Sequence, residues 1–200
     1  FTEEEVRLLL AATGVMHAYD RRNDCYVRAP RPTAVRDVAI ILVLVDTGLR
    51  ASELCDLHVR DYDRKTGRLV VWHGKGDKQR SVYVGQIAQR ALWRYIQQRK
   101  KPEPEAPLFE ASRGGGAMNR TTLRKLIERL GERAKVEGAT PHRFRHTFAV
   151  NFLRNGGSLA ALQDLLGHST MEMVRRYARL AEVDLQAAQK IASPADRWRL

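Results

Sequence analysis

VRDYDRKTGRLVVWHGKGDKQRSVYV, residues 59–84, is where this chain changes its period. The stretches 59–63, 68–72 and 80–84 have the length and residue types of short strands, with side chains pointing to opposite faces in turn. Lys65-Thr66-Gly67 joins the first two, and Gly74-Lys75-Gly76-Asp77 separates the last two. Short glycine-bearing turns of this kind return a strand antiparallel to its neighbour. On both sides of the stretch the pattern is helical. Residues 59–84 therefore decide for an α+β domain, mainly helical with one small three-stranded antiparallel sheet, and they put Lys75 at or beside a hairpin tip.

Toward the N-terminus, Thr2 and Glu5 form a capping-box pair that predicts an amphipathic helix to about residue 12. Gly14, Asn23, Pro30 and Pro32 give 14–32 the character of a long irregular loop. Pro32 opens a second helix running to Gly48. Its apolar run 38–45, between Asp37 and Asp46, reads as a buried helix. A short helix over 51–57 places Glu53 about one turn after Arg50.

Toward the C-terminus the spacing predicts a helix over 86–99. A loop with Pro102, Pro104 and Pro107 follows, with a brief strand at 107–109. Further helices are expected over 120–136, 142–155, 159–166, 171–178 and 183–192. Gly156-Gly157 ends one of them, Ser158 caps the next, and Thr170 caps the one after Gly167. Phe144, Phe148 and Phe152, at i, i+4 and i+8, form an apolar stripe.

Two hundred residues, 44% of them hydrophobic, make about one domain with a sizeable core. Lysine and arginine outnumber aspartate and glutamate by 35 to 23, a net charge of +12. Such a balance points to a polyanionic partner, above all nucleic acid, or to a solvated basic surface. The bias is strongest over 113–145, where Arg120, Arg124, Lys125 and Arg143 stand among few carboxylates and can track a phosphate backbone. Cys25 and Cys55 are too few to staple a secreted domain and are expected as free thiols in the cytoplasm. No apolar run reaches the roughly 18 residues a membrane span needs, and no signal peptide is visible.

Five short stretches carry chemistry: T-G-L-R-A-S-E (47–53), G-K-G-D-K-Q-R (74–80), H-R-F-R-H (142–146), L-L-G-H-S (165–169) and R-R-Y-A (175–178). Arg50 and Arg145 can each donate paired hydrogen bonds to phosphate oxygens, a geometry lysine does not offer. Two guanidiniums can stabilise phosphoryl transfer where a metal otherwise would. His142 shares a helix face with Arg145 and can accept a proton. His142 and His146 also have zinc-ligand spacing, but position 143 is arginine and the flanking cations oppose a metal. Tyr177 is a phenol in a cationic setting, where an ordinary pKa near 10 calls for help before it can attack.

In this order and spacing the five stretches resemble the catalytic domain of the tyrosine recombinases, the phage-integrase family, over nearly the whole chain. The resemblance implies that Tyr177 is the nucleophile and Lys75 the general acid for the leaving 5′ oxygen. It also implies that His168 donates to the scissile phosphate, and that Glu53 orients the basic residues. Lys78 and Arg80 are then contacts to the DNA backbone. The implied activity is site-specific strand exchange through a 3′-phosphotyrosyl link, with no cofactor, metal or ATP. The partners are double-stranded DNA and further copies of the chain, a tetrameric synapse on DNA and a monomer when free, in the nucleoid region of the cytoplasm. Two alternatives stand: relaxation of a single duplex in the manner of a type IB topoisomerase, and a binding module with a decayed site. Residues 1–200 are read as one catalytic domain. The family's preceding helical DNA-binding domain is expected to be absent from this chain, and 180–200 is read as a tail that docks through Leu185, Ala188 and Ile191. Arg21, Arg22, Arg28 and Arg31 in the 14–32 loop either touch DNA or belong to a disordered segment.

Overall fold

The structure, a computed structural model, describes residues 1–20, 25–72, 79–99, 101–111, 116–167 and 177–179, together with 189, 193, 195 and 198; of 15–20 and 25–30 it describes the backbone. Helix α1 (Glu3–Thr13) starts at the expected box: the Thr2 hydroxyl accepts from Glu5 N at 3.1 Å and the Glu5 carboxylate accepts from Thr2 N at 2.7 Å. Two orphan amide donors are satisfied at once. Helix α2 (Ala34–Thr47) is the centre of the fold, with Ala39, Ile40, Ile41, Val43 and Leu44 buried. It packs against α4 (Gln86–Gln98) and α6 (Pro141–Arg154). It ends at Gly48, whose φ of 59° is the left-handed region that favours glycine. A Cβ at Gly48 would also lie 2.4 Å from Phe148 Cδ1. Residue 48 is thus fixed twice, by backbone and by packing, two positions before Arg50.

The three-stranded sheet is present in the order β3 (Tyr62–Asp63), β4 (Arg68–Val71), β5 (Arg80–Tyr83), antiparallel throughout. Its first strand is shorter than the expected 59–63. Val59–Asp61 is instead a 3-10 turn, because buried Asp61 accepts from His58 N at 2.7 Å and from Trp72 Nε1 at 2.6 Å. The expected strand at 107–109 reduces to a bridge between Pro107 and His58.

The expected irregular loop over 14–32 is corrected. β1 (Val15–Asp20) and β2 (Cys25–Pro30) pair antiparallel over their full lengths, Val15 opposite Pro30, so the described residues include a two-stranded sheet besides the expected three-stranded one. The prolines that suggested a loop sit at the last residue of β2 and beyond it, where a missing amide donor interrupts little.

The remaining helices fall close to expectation: α3 (Ala51–Asp56), α5 (Arg120–Ala134), α6, and α7 (Leu159–Leu166). Asn119, Thr140 and Ser158 cap the last three through side-chain acceptors. In α6, Phe144 and Phe148 are buried and Phe152 packs on the second core cluster. Residues 177–179 are helical, while the rest of the expected 171–178 helix, Thr170 and the strip residues Leu185, Ala188 and Ile191 lie outside the described residues. Cys55 is a buried free thiol, with its pKa pushed up to about 12 by burial. Among the described residues no helix is long and apolar enough to cross a membrane.

Candidate active site

The α2–α3 junction, the start of β5, the first turns of α6 and the end of α7 meet around one carboxylate. Glu53, 3% exposed in its side chain, accepts four hydrogen bonds. Arg50 supplies its backbone N–H at 2.8 Å and Nη1 at 2.8 Å; Arg80 supplies Nη1 at 2.9 Å and Nη2 at 2.7 Å. Four donors fill the acceptor sites of a carboxylate. Burial pushes the Glu53 pKa up, but the bonds from Arg80 and then from the Arg50 backbone outweigh it and hold the group below the usual carboxylate range.

Three guanidiniums also gather the C-terminal carbonyls of α7. Arg80 Nε donates to Leu165 O at 2.9 Å, Arg145 Nη2 to Leu166 O at 2.8 Å, and Arg50 Nη2 to Gly167 O at 3.2 Å. Arg145 Nη1 reaches Gly48 O at 2.9 Å, at the end of α2. Two helix C-termini therefore point their partial negative charge at the arginines. This does not balance the site. Among the described residues three cations face one anion, and the Arg145 pKa is lowered to about 10, by burial first and by neighbouring Arg50 next. The cluster has an unmet demand for an anion. Arg50, with 38% of its side chain exposed, is its open door.

Tyr177 lies beside this cluster. It is 4% exposed, packed with Phe148, Leu162 and Leu166, and near enough to Arg145 to bear on its electrostatics. His146 meets its ring edge-on at 5.4 Å between centroids. In sequence His146 is marked only by its i+4 spacing from His142. His142 is exposed, in the first turn of α6, one turn before Arg145. Lys75, Lys78 and His168 lie outside the described residues; their nearest described neighbours are the ends of β4 and β5, and Gly167.

Two residues expected to contact DNA have partners within the protein. Arg80 is turned inward, 11% exposed, with Nε, Nη1 and Nη2 all engaged. Arg143 grips α1: Nη2 donates to both Glu5 oxygens, at 2.6 and 2.8 Å, and the guanidinium stacks over Phe1 at 4.1 Å. Arg120, Arg124 and Lys125 are exposed along α5. Beside them a cleft of about 510 Å³ is lined by Arg31, Arg36, Lys125, Arg129 and Arg133. Burial lowers the Arg31 pKa against the pull of Asp37, and Arg133, Arg36 and Arg129 lower it further, so this cleft too carries excess positive charge. Among the described residues no His, Cys, Asp and Glu cluster is placed to hold a metal.

Residues 2–183 match the model of the phage integrase family. The tyrosine recombinase XerC of Pelobacter propionicus is 39% identical over 165 residues, 80% of this chain and 54% of that protein. This chain thus spans about half the length of such relatives. The crystal structure of XerA recombinase superposes with a TM-score of 0.73 at 30% identity, over 97% of this chain and 65% of that one. The catalytic domain of bacteriophage HP1 integrase gives 0.64 at 25% identity, over 98% of this chain and 95% of that domain. XerH bound to palindromic difH substrate, at 24% identity, shares the fold with a TM-score of 0.70 over 98% of this chain and 53% of that one.

Proposed function

The chain belongs to the phage integrase family, and we propose that it is the catalytic domain of a site-specific DNA recombinase. The observation that carries this reading is the excess of guanidinium charge around Glu53, set beside the Tyr177 ring. A scissile phosphate supplies the missing anion. The Tyr177 hydroxyl oxygen attacks phosphorus, its proton passes to His142, and the P–O5′ bond breaks. Lys75 protonates the departing 5′ oxygen and His168 donates to the phosphate. The products are a 3′-phosphotyrosyl link and a free 5′ hydroxyl. A hydroxyl from a partner strand reverses the step, so the phosphodiester energy is conserved without ATP or metal. The reading includes assembly of four copies on paired DNA sites, a monomer off DNA, and action in the cytoplasm. The test is a suicide substrate whose cleaved end diffuses away. A covalent protein–DNA band on a denaturing gel is expected, and its absence would refute the reading.

The acid role separates cleanly. Lys75→Ala is expected to block cleavage of ordinary DNA yet spare a substrate with sulfur at the 5′ bridging position, because a thiolate leaves without protonation. Equal slowness on both substrates would remove Lys75 from that role.

Affinity should be steeply salt-dependent, with a log–log slope of about −0.9 for each B-DNA phosphate neutralised. If the basic cleft beside α5 holds the duplex backbone, Arg129→Ala with Arg133→Ala flattens the slope by about 2. It should leave the cleavage rate at saturating DNA unchanged. An unaltered slope would show that the cleft faces away from DNA.

A further inference from the structure

Arg80 was expected on the outside and is found at the centre of the site. We propose that it is a positioning residue for the cleavage reaction, holding Glu53 in place and pinning together β5, α3 and the end of α7, which in sequence adjoin Lys75, Arg50 and His168. The inference rests on the function proposed above and adds a residue to its machinery.

The first support is geometric. Arg80 is the first residue of β5, five positions after Lys75. Its Nη1 and Nη2 fork closes on both Glu53 oxygens, and its Nε takes Leu165 O. One side chain thereby joins β5, which follows Lys75 in sequence, to α3, which follows Arg50, and to the end of α7, which precedes His168. Lysine could not replace it, because one ammonium on a flexible stem does not span a planar carboxylate and a carbonyl together.

The second support is Gly167. Its φ is 63°, and a Cβ there would lie 3.0 Å from Arg80 Nη1 and 3.1 Å from Cδ and Cζ. The Arg80 side chain rests against the glycine, so the Gly in L-L-G-H-S serves this contact as well as the helix end.

The third support is electrostatic. Glu53 is buried, and burial alone would favour its neutral form. A neutral Glu53 would lose its charge-assisted hold on Arg50 Nη1, and the Arg50 guanidinium would be free to leave the phosphate's approach. Arg80 contributes most to keeping Glu53 charged, ahead of the Arg50 backbone N–H and guanidinium, so less of that task falls on Arg50, which is left for substrate. The other charged and titratable groups around Glu53 are Arg50 and Arg145, with Asp56, His58, Arg60 and Asp61 lining the small cavity beside it.

The experiment measures single-turnover adduct formation against pH at saturating DNA, with duplex affinity and thermal unfolding in parallel. It uses wild type, Arg80→Lys, Arg80→Met, Glu53→Gln and the Arg80→Met/Glu53→Gln double variant. Both Arg80 variants are expected to slow cleavage by tenfold or more, toward the roughly hundredfold that small misplacements of reacting groups cost. Duplex affinity and its salt slope should stay near wild type. In Arg80→Met the rate should fall as pH drops through a raised Glu53 pKa, giving an acid limb at higher pH than in wild type. The double variant should lose that limb. A merely structural arginine would lower the unfolding temperature without moving the pH profile. Arg80→Lys keeps the charge and covers the case in which Arg80→Met does not fold. Wild-type rates and profile in the folded variants would overturn the inference. So would a loss of affinity matching the loss of cleavage with a flatter salt slope, which would make Arg80 a DNA contact, and so would a limb that survives Glu53→Gln. A wild-type protein that forms no adduct would instead refute the recombinase reading itself.

Discussion

Tyr177→Phe is expected to form no covalent adduct on a suicide substrate, while binding the same duplex with an affinity within about twofold of wild type, well under the 1.4 kcal/mol that a tenfold change represents. The substitution removes one oxygen. The ring that remains still fills the cluster of Phe148, Leu162 and Leu166 and still meets His146 edge-on, so packing gives the variant no reason to unfold. The hydroxyl is the only atom lost, and it is the atom assigned to attack phosphorus. A folded protein that binds DNA without reacting is therefore the expected outcome, read on a denaturing gel beside a filter-binding or mobility-shift titration. Adduct at wild-type yield would transfer the nucleophile to another residue and undo the assignment.

What the sequence made legible and what it hid divide along one physical line. Local signals held: the Thr2–Glu5 box, the Ser158 cap and the 159–166 helix all depend on residues within a few positions of one another. The sheet was legible too, because alternation and glycine turns are local. The first sheet was missed because prolines outweighed pairing; antiparallel register is settled between 15–20 and 25–30, and Pro30 at the end of the ladder does not disturb it. The direction an arginine points was beyond reach. Arg80 finds its partners 27 and 85 residues away, and Arg143 finds Glu5 138 residues away. Composition marks such residues only as basic, and a solvated charge and a buried clamp look alike in one dimension. Arg50 and Arg145 became recognisable as partners through the spacing of family motifs. The structure brings both to the end of α7, and their catalytic roles stand as proposals for the variants to decide.

Arg145→Ala is expected to slow single-turnover cleavage by about 10²–10³-fold, the scale for losing one preorganised donor to a developing negative charge. Arg145 is 8% exposed, its two Nη groups are fixed by Gly48 O and Leu166 O, and its depressed pKa, about 10, still leaves it charged at neutral pH. A guanidinium held rigidly where its charge is poorly neutralised stabilises a phosphorane-like transition state with little reorganisation. The same features limit the damage to the fold. The variant loses two charge-assisted hydrogen bonds, each worth about 1.5–3 kcal/mol, but it also removes a buried cation that faces Arg50 and Arg80. The loss of stability should therefore fall short of the two bonds' sum. Arg145→Lys separates the contributions: it keeps a charge but cannot span both carbonyls, and it is expected to cleave faster than alanine and far slower than wild type. Chelators should leave all three proteins unchanged, since the arginines carry the charge stabilisation. Inhibition by EDTA that magnesium reverses, or an Arg145→Ala rate within a few-fold of wild type, would shift the phosphate-activating role away from this residue. Thermal unfolding of the same samples would show whether a slow variant is slow in chemistry or merely unfolded.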